Sequence, residues 1–420
     1  MKLKMLLSNF LVWGSLGLQA QNTDWTGWLG PDRTGRAEGF EAPKQWPVEL
    51  SLKWSIEVGS GYGSPLVVGE EVFVHSRQGE EEVSRCLNLK TGEQLWKARQ
   101  GTPFKMGGGG ERHGKGPKAS PCYSGGLLFT MSIGGRMTAW DGKTGKVIWS
   151  RFPGKRFGQT HAHWGATNSP FVFDGRVINL FGNDERGSLM ALESSTGKLI
   201  WSAAEDGTCY SSPFVAEISG VVQVVAWNHR ALVGVDFKTG ETLWEFSFPH
   251  KTHNQNMPTP AFYKGQILLG GENRGIHSLV PRLVGDKWSV RKSWSQKEVA
   301  LDMASAIMAE GFLFGLSHYG QGRLFCLNPH NGKILWLGPP RTGPYASFLS
   351  FPGHVLTLSH QGSITFFKAS PDSFQLVASY HELGSATWSA PVLLEDGVLI
   401  KDAQKLSLWS FSRSQERDPS

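Results

Sequence analysis

The stretch LESSTGKLIW, residues 192–201, is one of five copies of a short phrase that recurs along this 420-residue chain. Each copy has an apolar residue, then Asp, Asn or Glu, two further residues, Thr-Gly or Asn-Gly, three residues and a Trp. The other copies are LNLKTGEQLW, WDGKTGKVIW, VDFKTGETLW and LNPHNGKILW, which end at Trp96, Trp149, Trp244 and Trp336. A phrase repeated at a spacing of roughly 40–50 residues indicates stacked copies of one supersecondary unit.

Each copy predicts a β-hairpin. The residues around the Thr-Gly alternate between apolar and polar, as in SLMAL at residues 188–192, and such runs joined by a short Gly-containing loop are typical of hairpins. The Asp or Asn can accept hydrogen bonds from its own turn, and the Gly adopts positive φ readily. The Trp then opens the next strand with a large apolar side chain and one N–H donor.

A second signal lies between these copies. A Ser/Thr-Pro or Ser-Ala start is followed by an apolar run, a Gly turn and another apolar run, which predicts a second hairpin. We count eight such starts, at Ser64, Ser120, Ser169, Ser212, Thr259, Ser305, Ser347 and Ser389. Their mean separation of about 46 residues lies within the range for propeller blades of four strands.

The two signals together predict an all-β fold, an eight-bladed β-propeller of four-stranded antiparallel blades, with seven blades as the alternative. The phrase is degenerate at residues 282–294 and 368–380, and the last blade lacks its outer strand. Residues 52–59 supply that strand from the other end of the chain, which closes the ring and removes open sheet edges. We predict that one Trp per intact phrase, and Trp54 in the closing strand, dock neighbouring blades: Trp54, Trp96, Trp149, Trp201, Trp244 and Trp336.

The N-terminal sequence predicts that the protein is exported. Lys2 and Lys4 precede an apolar stretch and then Leu-Gln-Ala, which is typical of a secretory signal peptide cleaved after Ala20. We therefore divide the chain into a signal peptide (1–20), an N-terminal strap (21–51), the propeller (52–411) and a C-terminal tail (412–420). We expect a periplasmic or secreted monomer with no membrane-spanning segment in the mature chain.

Charge and cysteine content exclude several function classes. The formal net charge of +6 is small for a chain of this length, and the charged residues are scattered along the sequence. Both features argue against nucleic-acid binding. Cys86 and Cys326 occupy the same repeat position on distant blades, so we expect two buried small residues and no bridge between them. Whether Cys122 pairs with Cys209 is left open, and no zinc pattern is present.

The propeller pattern places the varied loops on one rim. The loops that lead into the inner strands share that rim with the loops joining second and third strands, and enlarged loops on a rigid scaffold are where binding usually lies. Metal binding at the two histidines of HAH (161–163) is an alternative to loop hydrogen bonding, and we assign no metal. The ligand-binding candidates on this rim are His161, His163, Asn228, His229, Arg230, His253, Glu272, Asn273, Arg274, His318 and His360.

The repeat resembles the tryptophan-docking repeat of the pyrroloquinoline quinone (PQQ)-like β-propellers over residues 52–411. The lead-in from Trp25 to Gly35, Trp-x-x-Trp-x-Gly-Pro-x-Arg-x-Gly, is similar to that of exported bacterial members. The resemblance implies two functional branches. One is the quinoprotein dehydrogenases of alcohols or sugars, and the other is BamB-type outer-membrane assembly factors, which are scaffolds without a cofactor.

The dehydrogenase branch implies a vicinal Cys-Cys disulfide over PQQ and Glu, Asn and Asp ligands on a calcium ion. This chain has no Cys-Cys pair, since Cys209 is followed by Tyr210, and no calcium triad can be matched. We therefore expect an envelope binding or scaffold module without a cofactor, with an envelope protein or a small-molecule or carbohydrate ligand on the varied rim. The alternatives are a dehydrogenase using PQQ with calcium and a carbohydrate-active hydrolase or lyase that uses the histidines for acid–base chemistry.

Overall fold

A computed structural model describes residues 24–250, 256–381 and 384–412. The described chain forms eight four-stranded antiparallel sheets in a ring. The predicted eight-bladed propeller is confirmed, and the seven-bladed alternative is wrong. The predicted signal peptide, His253 and the tail beyond residue 412 lie outside the described residues.

Blades 1 to 4 follow the chain, with the inner strand of each blade first. Blade 1 holds β2 (Leu66–Val68), β3 (Glu71–Gln78), β4 (Glu81–Asn88) and β5 (Gln94–Gly101). Blade 2 holds β6 (Cys122–Ser124), β7 (Leu127–Met131), β8 (Met137–Asp141) and β9 (Val147–Arg151). Blade 3 holds β10 (Phe171–Phe173), β11 (Arg176–Gly182), β12 (Gly187–Glu193) and β13 (Leu199–Ala203). Blade 4 holds β14 (Phe214–Ile218), β15 (Val221–Trp227), β16 (Ala231–Asp236) and β17 (Thr242–Ser247).

Blades 5 to 8 repeat this order, and the last blade takes its outer strand from the start of the ring. Blade 5 holds β18 (Ala261–Tyr263), β19 (Gln266–Gly271), β20 (Gly275–Val284) and β21 (Lys287–Gln296). Blade 6 holds β22 (Ile307–Ala309), β23 (Phe312–Ser317), β24 (Arg323–Leu327) and β25 (Ile334–Pro340). Blade 7 holds β26 (Ala346–Phe351), β27 (His354–Ser359), β28 (Ile364–Lys368) and β29 (Leu376–Tyr380). Blade 8 holds β30 (Val392–Leu394), β31 (Gly397–Lys401), β32 (Lys405–Ser410) and β1 (Ser51–Glu57).

The strand from the start of the ring completes blade 8 as predicted. β1 pairs antiparallel with β32, with Trp54 opposite Leu408. Two short 3₁₀ segments, Glu111–His113 and Pro153–Phe157, are the helical elements in the described ranges. No helix there is both long and apolar enough to cross a bilayer.

The Thr-Gly turns owe their shape to the acidic or amide residue of the phrase. Asp141 Oδ1 accepts the backbone N–H groups of Lys143 and Thr144 at 3.1 and 2.8 Å and the Thr144 hydroxyl at 2.7 Å. Gly145 has φ of +68°, and its N–H donates to the Asp141 carbonyl at 2.8 Å. The register then shifts by one residue just before Trp149, which sets the indole towards the next blade.

The tryptophan side chains bridge neighbouring blades. Trp96 Nε1 donates to the Gly142 carbonyl of blade 2 at 2.7 Å, and its ring lies against Gly145. The indole N–H groups of Trp54, Trp149, Trp201 and Trp336 likewise donate to carbonyls of the next blade. The hydrophobic core therefore lies between blades, where each cluster draws apolar residues from adjacent sheets.

Two junctions depart from this pattern. Trp244 Nε1 donates within its own blade to Gln223 Oε1 at 2.7 Å, and blade 5, which follows, has a long β20–β21 hairpin in place of the Thr-Gly turn. Trp294, from the degenerate phrase of blade 5, makes the standard contact by donating to the Pro329 carbonyl at 2.9 Å. In blade 7, Ala378 stands at the Trp position, opposite Phe366.

Residues 24–50 run across the channel end of the propeller and along blades 7 and 8. Trp25 forms a β-bridge to Val67 of blade 1, and Arg36 forms one to Ser350 of blade 7. Trp46 then packs on Phe366, with ring centroids 4.2 Å apart. Trp46 thus fills the junction between blades 7 and 8 where the repeat has lost its own Trp.

The strand order gives the ring two rims. We call the side with the Thr-Gly turns the turn rim, and the side with the loops leading into the inner strands the loop rim. All four cysteines are buried and free, at Cys86, Cys122, Cys209 and Cys326. The sequence left open whether Cys122 and Cys209 form a disulfide, and in the structure they do not.

Candidate functional site

Hydroxyl side chains at the starts of the inner strands of blades 1 to 6 accept hydrogen bonds from neighbouring blades around the channel. The Ser64 N–H donates to Ser120 Oγ at 2.9 Å, and the Ser120 N–H donates to Ser169 Oγ at 3.0 Å. The same bond recurs from Ser169 to Ser212, Ser212 to Thr259, and Thr259 to Ser305. We call these six residues the hydroxyl tier: Ser64, Ser120, Ser169, Ser212, Thr259 and Ser305.

Blade 8 joins the series through Ala390, whose N–H donates to Ser64 Oγ at 2.8 Å. Ala390 therefore holds the repeat position that the sequence pattern assigned to Ser389, and this one-residue prediction was wrong. The misassignment arose because Ser389-Ala390 fits the Ser-Ala form of the start signal, whereas the Pro at the observed start follows Ala390.

Each hydroxyl of the tier has a proton left to donate. Its oxygen already accepts a backbone N–H from the preceding blade, and within the described ranges none of the six donates to a protein acceptor. A hydroxyl carries one donor and two acceptor positions. The tier therefore lines the channel with hydroxyl donors.

A second ring lies two residues upstream of each repeat start. Alternate residues of an extended chain point to the same side, so these side chains line the same channel nearer the loop rim. We call them the upper tier: Tyr62, Lys118, Thr167, Tyr210, Met257, Met303, Tyr345 and Trp388. All eight are half-buried, and Lys118 is the one charged member.

The two tiers enclose a cavity of about 260 Å³. Trp28 of the N-terminal segment lines it as well, as do Gly109, Gly110, Arg112 and His113 from the loop before blade 2. Because most of these side chains lie near the loop rim, the cavity opens on that side.

Aromatic rings form much of the cavity wall. Tyr345 and Trp388 lie with ring centroids 4.6 Å apart and planes inclined by 32°. Trp164 and Tyr210 form a second pair at 5.6 Å and 28°. Two aromatic pairs from different blades give flat apolar surfaces for a ring-shaped ligand.

The charged groups of the cavity are basic. Lys118 Nζ donates to the Trp164 carbonyl at 3.0 Å, and burial lowers its pKa to about 8. Burial, together with the nearby Lys118 and Arg112, lowers the pKa of His113 to about 4, so this imidazole is neutral at pH 7. No described lining residue is an Asp or Glu.

A further cation lies beneath the cavity. Arg33 donates to the Ser169 carbonyl at 2.7 Å and lies over the ring of Phe171, 5.0 Å from its centroid. Its Nε and Nη1 atoms are buried and have no hydrogen-bond partner among the described residues. The cavity therefore has positively charged side chains both near its opening, at Lys118 and Arg112, and beneath it, at Arg33.

None of the ten sequence candidates that the structure describes lines this cavity. His161 Nδ1 is 2.8 Å from the Ala162 carbonyl, and His163 Nε2 is 3.0 Å from the Gly108 carbonyl. The second contact holds the loop that carries Gly109 and Gly110. His163 therefore supports the wall of the cavity from behind.

A second group of candidates comes together between blades 4 and 5. Asn256 Nδ2 donates to the carbonyls of Asn228 and His229, at 2.8 and 3.1 Å. Arg274 donates to Asn256 Oδ1 at 2.9 Å, and burial lowers its pKa to about 10. Arg230 instead contacts Asp206 at 2.8 Å. The polar side chains of this group therefore make most of their hydrogen bonds to one another or to nearby backbone.

The remaining candidates lie on blades 5 to 7. His318 Nε2 is 3.0 Å from Asn273 Oδ1. Burial and the nearby Glu272 carboxylate raise the pKa of Asp302 to about 6. Burial lowers the pKa of His360, whose carbonyl accepts the Thr387 N–H at 2.8 Å.

The side chains do not fit a calcium-bound quinone. In the part of the chain that the structure describes, no three His, Cys, Asp or Glu residues are grouped so as to hold a metal ion. The cavity wall offers hydroxyl, amine and aromatic groups, whereas calcium is bound by carboxylate and carbonyl oxygens.

Residues 79–337, more than half of the chain, match the protein-family model described as outer membrane protein assembly factor BamB. This chain belongs to the PQQ-like β-propeller family. Within the family, the outer membrane protein assembly factor BamB of Yersinia pestis is 21% identical over 301 residues, covering 69% of this chain and 72% of that protein.

Dehydrogenases of the same family are also similar to this chain. Polyvinylalcohol dehydrogenase of Sphingopyxis sp. is 26% identical over 364 residues, covering 74% of this chain, which spans only 50% of the dehydrogenase. The crystal structure of quinohemoprotein alcohol dehydrogenase from Comamonas testosteroni has a TM-score of 0.67, with 14% identity, and covers 94% of this chain and 82% of that one. That likeness shows the fold.

Proposed function

We propose that this propeller is a binding or scaffold module of the bacterial envelope, with its ligand or partner on the loop rim. The observation that carries the proposal is the two-tier cavity, which opens on that rim and is walled by half-buried aromatic side chains. Concave sites with apolar walls and a few convergent polar groups are the usual form of a ligand site.

The similarity to BamB supports the envelope part of the proposal, because BamB of Yersinia pestis is by name an outer-membrane assembly factor. The sequence supports it independently through the predicted signal peptide. The dehydrogenase alternative draws on the similarity to polyvinylalcohol dehydrogenase, but the described lining residues include no carboxylate to bind calcium. The hydrolase or lyase alternative stays a prediction.

In vivo photo-cross-linking tests the proposal. A benzophenone amino acid replaces Arg112 at the cavity mouth in one strain and Lys143 on the turn rim in another, because both side chains are exposed. We expect the protein in the envelope or secreted fraction and light-dependent adducts from the Arg112 position. Native mass spectrometry of the chain from its own host then identifies any small ligand.

The Lys143 strain is the matched control, since both residues lie in exposed loops on opposite rims. Adducts that form only from Lys143, or a protein confined to the cytosol, would contradict the proposal.

A further inference from the structure

The cavity presents an unusual balance of hydrogen-bonding groups. The six hydroxyls of the hydroxyl tier have protons to donate, and Lys118 and Arg112 add cationic donors, while none of the described lining residues carries a carboxylate. A wall of donors without anionic acceptors favours a ligand that is rich in acceptors. Oxyanions meet that need, because charge-assisted hydrogen bonds to them are stronger than neutral ones.

Lys118 has no counter-ion among the described residues. Its ammonium group contacts the Trp164 carbonyl and, at 4.0 Å, the Met106 sulfur, and it takes part in no ion pair. A half-buried cation is usually paired. An anionic ligand in the cavity would provide the missing partner.

The aromatic pairs restrict the body of that ligand. Tyr345 with Trp388, and Trp164 with Tyr210, offer flat apolar faces on different blades. The cavity volume of about 260 Å³ lies just below the range of about 300–1,000 Å³ for drug-sized ligands. A single six-membered ring is therefore the appropriate size.

We propose that the cavity binds a small carboxylate carried on one six-membered ring, with the carboxylate facing Lys118 and the hydroxyl tier and the ring against the aromatic pairs. An acidic monosaccharide and an aromatic acid share this chemistry. The inference rests on the proposed binding function and adds the class of ligand.

Calorimetry with five probes at pH 7 tests the inference. Glucuronate and benzoate are the anionic rings, glucose and benzyl alcohol are their neutral counterparts, and sulfate is the anion without a ring. We expect at least one anionic ring to bind tenfold or more tightly than its neutral counterpart and than sulfate, and its affinity to fall as salt is added. The ring that binds distinguishes the sugar acid from the aromatic acid.

Two variants locate the binding. Lys118→Gln removes the cation and should weaken the anionic ring by tenfold or more, whereas Lys105→Gln, an exposed residue of the same loop, should leave the affinity unchanged. Near-UV circular dichroism checks that both variants keep the wild-type fold. If Lys118→Gln disturbs the fold, Trp388→Leu replaces it, and this variant should weaken the anionic ring but not sulfate.

The affinity should also depend on pH. Because the pKa of Lys118 is lowered to about 8, its charge is lost as pH rises through 8. We therefore expect the anionic ring to bind more weakly at pH 9 than at pH 7, and the Lys118→Gln variant to show a flat profile.

Equal binding of neutral and anionic rings, binding of sulfate alone, no binding of any probe, or an unchanged affinity in Lys118→Gln or its substitute Trp388→Leu would each overturn the inference. The outcome is separate from that of the cross-linking. Adducts at the Arg112 position without probe binding would leave the proposed function intact and remove only the ligand class.

Discussion

The turn rim and the loop rim are built from the same eight blades but differ in how regular their contacts are. On the turn rim, each Thr-Gly turn receives an indole from the preceding blade, and the contact is nearly the same at every regular junction. On the loop rim, the side chains of the upper tier vary from blade to blade, with three Tyr, two Met, one Lys, one Thr and one Trp. The repetition on one rim stabilises the ring, and the variation on the other is free to determine what is bound.

The largest effect should follow from removing one indole on the turn rim. Trp201 is 7% exposed and donates to the Phe237 carbonyl of the next blade, so Trp201→Ala should lower the free energy of unfolding by about 3–5 kcal/mol. Ile200, its 43% exposed neighbour, gives the control Ile200→Ala, which should lower it by about 1 kcal/mol or less. Chemical denaturation measures both, and equal losses would contradict the assignment of stability to the docking contact.

A smaller effect should separate turn geometry from docking. Gly145 and Gly175 have φ of +68° and +72°, so alanine at either costs about 1–2 kcal/mol of backbone strain. A β-carbon at Gly145 would also lie 2.5 Å from the Trp96 ring, whereas one at Gly175 would meet nothing within 4 Å. Gly145→Ala should therefore lose about 1–3 kcal/mol more than Gly175→Ala, and equal thermal shifts would show that the indole contact adds nothing.

A third effect depends on pH and concerns a charge buried near the loop rim. Lys401 is fully buried and donates to the Gly61 and Asp402 carbonyls at 2.6 and 3.0 Å, and burial lowers its pKa to about 8. An unfolded lysine titrates near pH 10.4, so between about pH 8 and 10.4 the unfolded chain holds more protons, and the free energy of unfolding should rise with pH. Denaturation of wild type and Lys401→Met from pH 7 to 10.5 checks this, because the variant should lack that part of the rise. Identical pH profiles would show that Lys401 keeps its charge when folded.

Most of the fold could be predicted from the sequence because each blade repeats the same local signals. The alternating pattern, the turn residues and the closing strand at Trp54 are all readable within a few residues. The pattern could not show that Trp46 would fill the gap left at Ala378, because that contact joins segments far apart in the chain.

The candidate site was less accessible to prediction. Histidines on the loop rim drew attention by residue type, yet His163 contacts the Gly108 carbonyl behind the cavity wall. The useful signal was positional, since Tyr62, Lys118 and Tyr345 each stand two residues before a repeat start. That offset becomes meaningful only once the starts are known to face a common channel.

The hydroxyl tier has a consequence for how such proteins diversify. Since its bonds run from backbone N–H groups to hydroxyls of the next blade, they do not depend on which side chains stand two residues upstream. A substitution in the upper tier therefore exchanges one recognition group while the framework beneath it is kept. Paralogues built on this plan should differ in ligand one blade at a time, much as the variable positions of a combinatorial library differ on a constant scaffold.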